Sequence, residues 1–200
     1  MTTSGLASAF AIYLLGLLAL RRARYSLVGY LWGAFGLAAV LILTGQLAGW
    51  NVPLGNLQGS VLVAIGKALG SRFEMLAPAT LLVPDPTGWS VLVIGIECST
   101  MIEASVFAGL LLFYPRIPPN ERFVRLGAGL GATFLINLAR LAVIVGMVMT
   151  LGKPAVPWAH AVVGRLVFFV GIVIVYWRML TLPTLRVVRR DLEVSGRSVL

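Results

Sequence analysis

Long apolar runs separated by short clusters of arginine set the pattern of this chain. Residues 1–20 carry no charged side chain, and neither do residues 25–66. A helix needs about 20 predominantly apolar residues to cross roughly 30 Å of hydrocarbon. Four segments meet that requirement, at about 3–20, 27–50, 126–150 and 160–181. A fifth span is predicted over about 97–114, where Pro115 stops it. Just before it, Asp85-Pro86-Thr87-Gly88 is a turn signal beside the β-branched run that follows, predicting a small hairpin of residues 80–83 with 90–95. Further upstream, Val61, Ile65, Leu69 and Phe73 recur at four-residue spacing, with Lys67, Arg72 and Glu74 off that stripe. This predicts an amphipathic helix over about 61–75, capped by Ser60 and lying on the membrane surface. A short or re-entrant span is the rival reading. The expected fold is thus an all-α membrane protein, one integral domain over 1–200. It has about five transmembrane helices (six on the rival reading), with the amphipathic helix and the hairpin on the outside and a tail over 183–200.

Composition sharpens this picture. Hydrophobic residues make up 59% of the chain and charged residues 12%, whereas soluble chains carry about a quarter charged, so a water-soluble domain is excluded. The net charge of +9 lies between apolar segments and not on one solvated face, so no nucleic-acid partner is expected. The basic residues set orientation. Arg21, Arg22 and Arg24, then Arg116, Arg122 and Arg125, then Arg178, Arg186, Arg189, Arg190 and Arg197 make eleven on one side, against Lys67, Arg72 and Lys153 on the other. Lysine and arginine accumulate in cytoplasmic loops, which predicts the N-terminus outside and the C-terminal tail inside. The uncharged start, followed by arginines, reads as a retained first span and not a cleaved leader. One cysteine and one histidine exclude an intramolecular disulfide and an ordinary zinc site, and no metal or cofactor is expected.

Charged side chains inside spans are expensive and by default functional or paired. They are Glu97, Glu103, Arg140 and Arg165, joined by Cys98, Asn137 and His160. On the predicted topology Cys98, Arg140 and His160 meet in the outer leaflet. A cysteine at a helix N-terminus has thiolate made available by the positive end of the macrodipole. His160 is then a base for the thiol proton, Arg140 an oxyanion or carbonyl donor, and Asn137 a group that orients the guanidinium. Glu97, Ser99 and Thr100 make the cysteine's setting polar. The packing alternatives are a core cysteine, an interfacial histidine beside Trp158, an arginine held by a structural carboxylate, and Ser99 and Thr100 as helix-start hydroxyls. Glu103 lies five residues inside Cys98 and Arg165 five residues inside His160, which predicts a buried ion pair between them, with a lipid phosphate as the rival partner of Arg165.

The segment Val93-Ile94-Gly95-Ile96-Glu97-Cys98-Ser99-Thr100, the run Asn137-Leu138-Ala139-Arg140 and His160 at the start of the last span together resemble the exosortase and archaeosortase family. Those are multi-span membrane cysteine proteases and transpeptidases. The resemblance covers about residues 60–180 and maps the family's Cys, Arg and His onto Cys98, Arg140 and His160. Thr100 departs from the Cys-Ser-Gly common in the family, and the chain is shorter than eight-span members, lacking an N-terminal part. The resemblance implies cleavage of a C-terminal sorting tail from secreted or surface proteins at the outer face of a prokaryotic plasma membrane, with transfer to water or another acceptor. A noncatalytic membrane subunit or chaperone holding a partner is the competing class. A transporter ranks third, since there is no internal repeat.

Overall fold

The computed structural model describes residues 3–22, 26–115, 117–185 and 189. Two apolar helices, α1 (Thr3–Arg22) and α2 (Ser26–Leu47), form an antiparallel pair. They are followed by α3 (Asn51–Ala68) and the strands β1 (Glu74–Ala77), β2 (Thr80–Asp85) and β3 (Gly88–Val93). A single 3-10 turn, Ile96–Cys98, leads into α4 (Met101–Phe113). The long α5 (Pro119–Leu151) and the helical run α6 (Lys153–Leu185) complete the fold. α6 widens to π-helix at Ala159–Val163 and again at Trp177–Thr181.

Four of these helices, α1, α2, α5 and α6, are long and apolar enough to cross a membrane. The predicted fifth span is shorter than expected: α4 has 13 residues, about 20 Å at 1.5 Å per residue. Thr100 is the reason. Its backbone is left-handed (φ 66°), so it breaks the helix between Cys98 and Met101. α4 lies antiparallel along α2, with Tyr30 Oη donating to Leu110 O at 3.4 Å near one end and Met101 beside Gly45 near the other. The close approach requires glycine at position 109, where a Cβ would collide with the Ala34 carbonyl oxygen.

The predicted hairpin is present, and it is larger than expected. β2 pairs with β3 from Thr80↔Val93 to Asp85↔Gly88, and β1 adds a third antiparallel strand with a bulge between Met75 and Ala77. The hydroxyls of Ser90 and Thr87 donate to the Asp85 carboxylate across the tight turn, which holds its pKa down at about 2. The helix predicted over 61–75 is displaced: α3 begins ten residues earlier and ends before β1, and Ser60 is inside it, not at its cap. The glycine-rich stretch stays helical because Gly55 and Gly59 pass close to Ala79, Ile94 and Met75 of the sheet region.

The sheet packs along the C-terminal half of α5, where Leu81, Val83 and Ile94 join Leu138, Leu141, Val145 and Val148 in one core. The turn between β2 and β3 reaches the α5–α6 connection, with Pro86 beside Gly152. At the opposite end of the bundle, Arg122 donates to the carbonyls of Leu112, Tyr114 and Ile117 and closes the end of α4. Tyr114 Oη and Thr184 Oγ1 hydrogen-bond there as well. The sheet, Lys153 and the segment around Cys98 thus share one end, while Arg21, Arg22 and Arg122 lie toward the other. Arg24, Arg116, Arg186, Arg190, Arg197 and most of the tail expected over 183–200 lie outside the described residues.

Candidate active site

Cys98 ends the 3-10 turn that follows β3, and its Sγ is 3.9 Å from His160 Nδ1, within reach of a weak S–H···N hydrogen bond. The other ring nitrogen, His160 Nε2, is 4.0 Å from Glu97 Oε2. A thiol, an imidazole and a carboxylate therefore stand in line, the arrangement by which a base is oriented and its positive charge stabilised. Glu97 also meets Arg165, whose Nη2 is 3.6 Å away. The buried Glu103–Arg165 pair expected from helical depth is therefore not formed. Depth was matched, but Arg165 turns toward the level of His160 and takes Glu97, and Glu103 Oε2 is buried without a hydrogen-bond partner. The Arg165–Glu97 bridge is exposed, where such pairs contribute about 0–1 kcal/mol.

Arg140 comes from the middle of α5 and is only 3% exposed. Its Nη1 donates to the Glu97 carbonyl at 3.1 Å, its guanidinium sits 5.8 Å from the Phe168 ring centroid, and its Nε has no partner. Among the described residues no carboxylate forms an ion pair with it. Glu103, which lines the same cavity of about 440 Å³ with Glu97 and Arg165, is near enough to Arg140 to interact with it electrostatically without forming an ion pair.

Cys98 does not stand at the N-terminus of a helix as predicted. Its own N–H donates to Gly95 O at 3.0 Å, and α4 starts three residues later. The macrodipole argument for a ready thiolate therefore fails, and the residue is 4% exposed with His160 as its side-chain neighbour. Asn137 is also placed differently. It donates to Cys98 O at 2.6 Å and to Gln58 Oε1 at 2.9 Å, so it orients the cysteine segment and not the guanidinium. Gln58 Nε2 in turn donates to Thr100 Oγ1, and the Ser99 hydroxyl donates back to Ile96 O at 2.9 Å. Neither Ser99 nor Thr100 acts as a hydroxyl cap on α4. Gln58, 1% exposed, is the member of the site that the sequence reading missed. Its signal was an amide in an uncharged stretch, shared with Asn51 and Asn56 nearby.

No family model matches the chain, and no curated protein or solved structure does so either.

Proposed function

We propose that this chain is a membrane cysteine peptidase or transpeptidase of the exosortase kind. It cleaves the C-terminal sorting tail of secreted or surface proteins at the extracytoplasmic face of a prokaryotic plasma membrane. The N-terminus and the sheet are outside, and the tail after α6 is cytoplasmic. The observation that carries the reading is the Cys98–His160–Glu97 line beside a buried Arg140 that forms no ion pair among the described residues.

In the reaction, Cys98 Sγ attacks the scissile carbonyl carbon as its proton passes to His160 Nδ1. Glu97 holds the far side of the ring and stabilises the imidazolium. The tetrahedral oxyanion takes donors from Arg140, whose placement in a low-dielectric setting strengthens them. Collapse breaks the C–N bond, the imidazolium proton goes to the leaving amine, and the acyl group remains as a thioester on Cys98. Water or an incoming amine then attacks that thioester and gives its proton to His160, and the departing sulfur is reprotonated.

The test is co-expression with secreted proteins from the same genome that share a C-terminal motif, a hydrophobic span and a basic tail, followed by intact-mass measurement. Wild type removes the tail, and Cys98→Ala leaves it in place. Normal processing by Cys98→Ala would transfer the protein to the noncatalytic class.

A further inference from the structure

The two edges of the sheet are built differently. β1 begins with the charged Glu74, carries a bulge and is followed by Pro78, all devices that keep a foreign strand from pairing. β3, Gly-Trp-Ser-Val-Leu-Val, has no charge, no proline and no bulge, and it is the other edge of the sheet. Its inner residues are fixed by register. Ile94 N donates to Ala79 O, so by alternation Leu92 and Ser90 turn their backbone groups to β2. Trp89, opposite Pro84, and Val91 turn theirs outward to the open edge. Their side chains are exposed too, with Trp89 at 53%, Val91 at 56% and Val93 at 70%.

This open edge does not face empty surroundings. A cavity of about 230 Å³ lies along it, walled by Leu92 and Ile94 on the sheet, Ile144 and Val145 on α5, and Val156 on α6, with Cys98 and His160 also lining it. β3 itself runs into the cysteine segment, with only five residues between Val93 and Ser99. A chain paired with this edge is thereby led to the sulfur.

Resting on the peptidase reading, we infer that β3 is the substrate-binding strand. An extended segment just before the scissile bond adds to its free edge, hydrogen-bonding to the backbone of Trp89 and Val91. The sorting tail continues into the bilayer, so the bound segment runs from the sheet end toward the membrane, parallel to β3. Strand addition uses backbone bonds for affinity and alternate side chains for specificity. One side chain of the segment enters the 230 Å³ cavity, so the recognised motif has an apolar residue there and no proline at the paired positions.

The sole cysteine makes this measurable without the natural substrate. The full chain in lipid nanodiscs is treated with an acetylated alternating valine–alanine tetrapeptide chloromethyl ketone, and Cys98 alkylation is timed by intact mass. The same peptide N-methylated at its pairing amides, and iodoacetamide, serve as comparisons. Loss of two backbone hydrogen bonds slows the methylated peptide about tenfold, with iodoacetamide as the reference for thiol reactivity. Val91→Pro, which removes an outward N–H, slows the unmethylated peptide by a similar factor, while the iodoacetamide rate of the same variant stays within about twofold of wild type. Equal rates for the two peptides on the wild-type chain overturn strand addition, whatever the proline variant does. Tail processing that needs Cys98 together with equal peptide rates would sink strand addition alone. A persisting methylation effect with normal processing by Cys98→Ala would sink the peptidase reading and leave the strand as a docking edge.

Discussion

The α1–α2 pair and the body from α3 to α6 bury different kinds of side chain. In α2 the buried residues are Gly33, Ala34, Ala38 and Gly45, and α1 contributes Tyr13. Small residues let helices approach where apolar burial gives no advantage over lipid. Among the described residues every buried polar side chain lies between Gln58 and Arg140. Of those groups Gln58, Thr100, Asn137 and Arg140 hydrogen-bond across α3, the cysteine segment and α5, where an amide or guanidinium without partners is costly. The first region is a packing device for α4. The second places a carbonyl, a thiol and a guanidinium relative to one another, which small-residue packing cannot do.

The largest effect expected from this contrast is at Arg140. If the polar region exists for chemistry, Arg140→Ala lowers the tail-processing rate by about 10²–10³-fold, the scale of a lost oxyanion donor. Arg140→Lys should be nearly as damaging, because a point charge does not replace a planar fork that holds the Glu97 carbonyl and still has donors to spare. Processing at the wild-type rate by the lysine variant would reduce Arg140 to a countercharge, and the contrast would then be one of packing only.

A smaller effect separates the two regions by stability. Gln58→Leu strands an Asn137 donor and removes the bond to Thr100 in a fully buried place, and should cost about 1–3 kcal/mol. Trp32→Phe in the first region removes one hydrogen bond, Nε1 to Tyr13 O at 3.1 Å, from a residue that is 40% exposed. That change should cost about 1 kcal/mol or less. Reversible unfolding in mixed micelles measures both, and equal losses would erase the distinction.

What the sequence made legible follows the same division. Apolar runs longer than a bilayer have few alternatives, so α1, α2, α5 and α6 were readable from hydropathy alone. Cys98, His160 and Arg140 stood out because polar groups in such runs need a reason, and the fold does bring them together. The start of α3 is not legible from local propensity because Pro53, Gly55 and Gly59 also read as turn residues; Pro53 is tolerated in the first helical turn, and the sheet region packs closely on the two glycines. Gln58 was lost inside that same stretch. The Glu103–Arg165 pair failed because rise along a helix fixes depth but not which carboxylate a long, flexible arginine will reach.

The smallest expected effect is at Thr100, where the two kinds of construction meet. A left-handed backbone costs an ordinary L-residue about 1–2 kcal/mol, and a β-branched one is a true outlier there. Glycine, which the resembled family commonly has at this position, would carry φ 66° without strain. Here threonine is held by the amide of Gln58, a bond worth about 1 kcal/mol net. The two contributions nearly cancel. Thr100→Gly should therefore change unfolding stability by no more than about 1 kcal/mol and keep tail processing near wild type. Thr100→Val keeps the strain and removes the acceptor, so Gln58 loses a partner and the variant should be about 1–3 kcal/mol less stable, with slower processing as the Cys98 carbonyl loosens. A valine variant as stable as wild type would mean that the Gln58–Thr100 bond does not hold the turn, and that Asn137 alone fixes the cysteine segment.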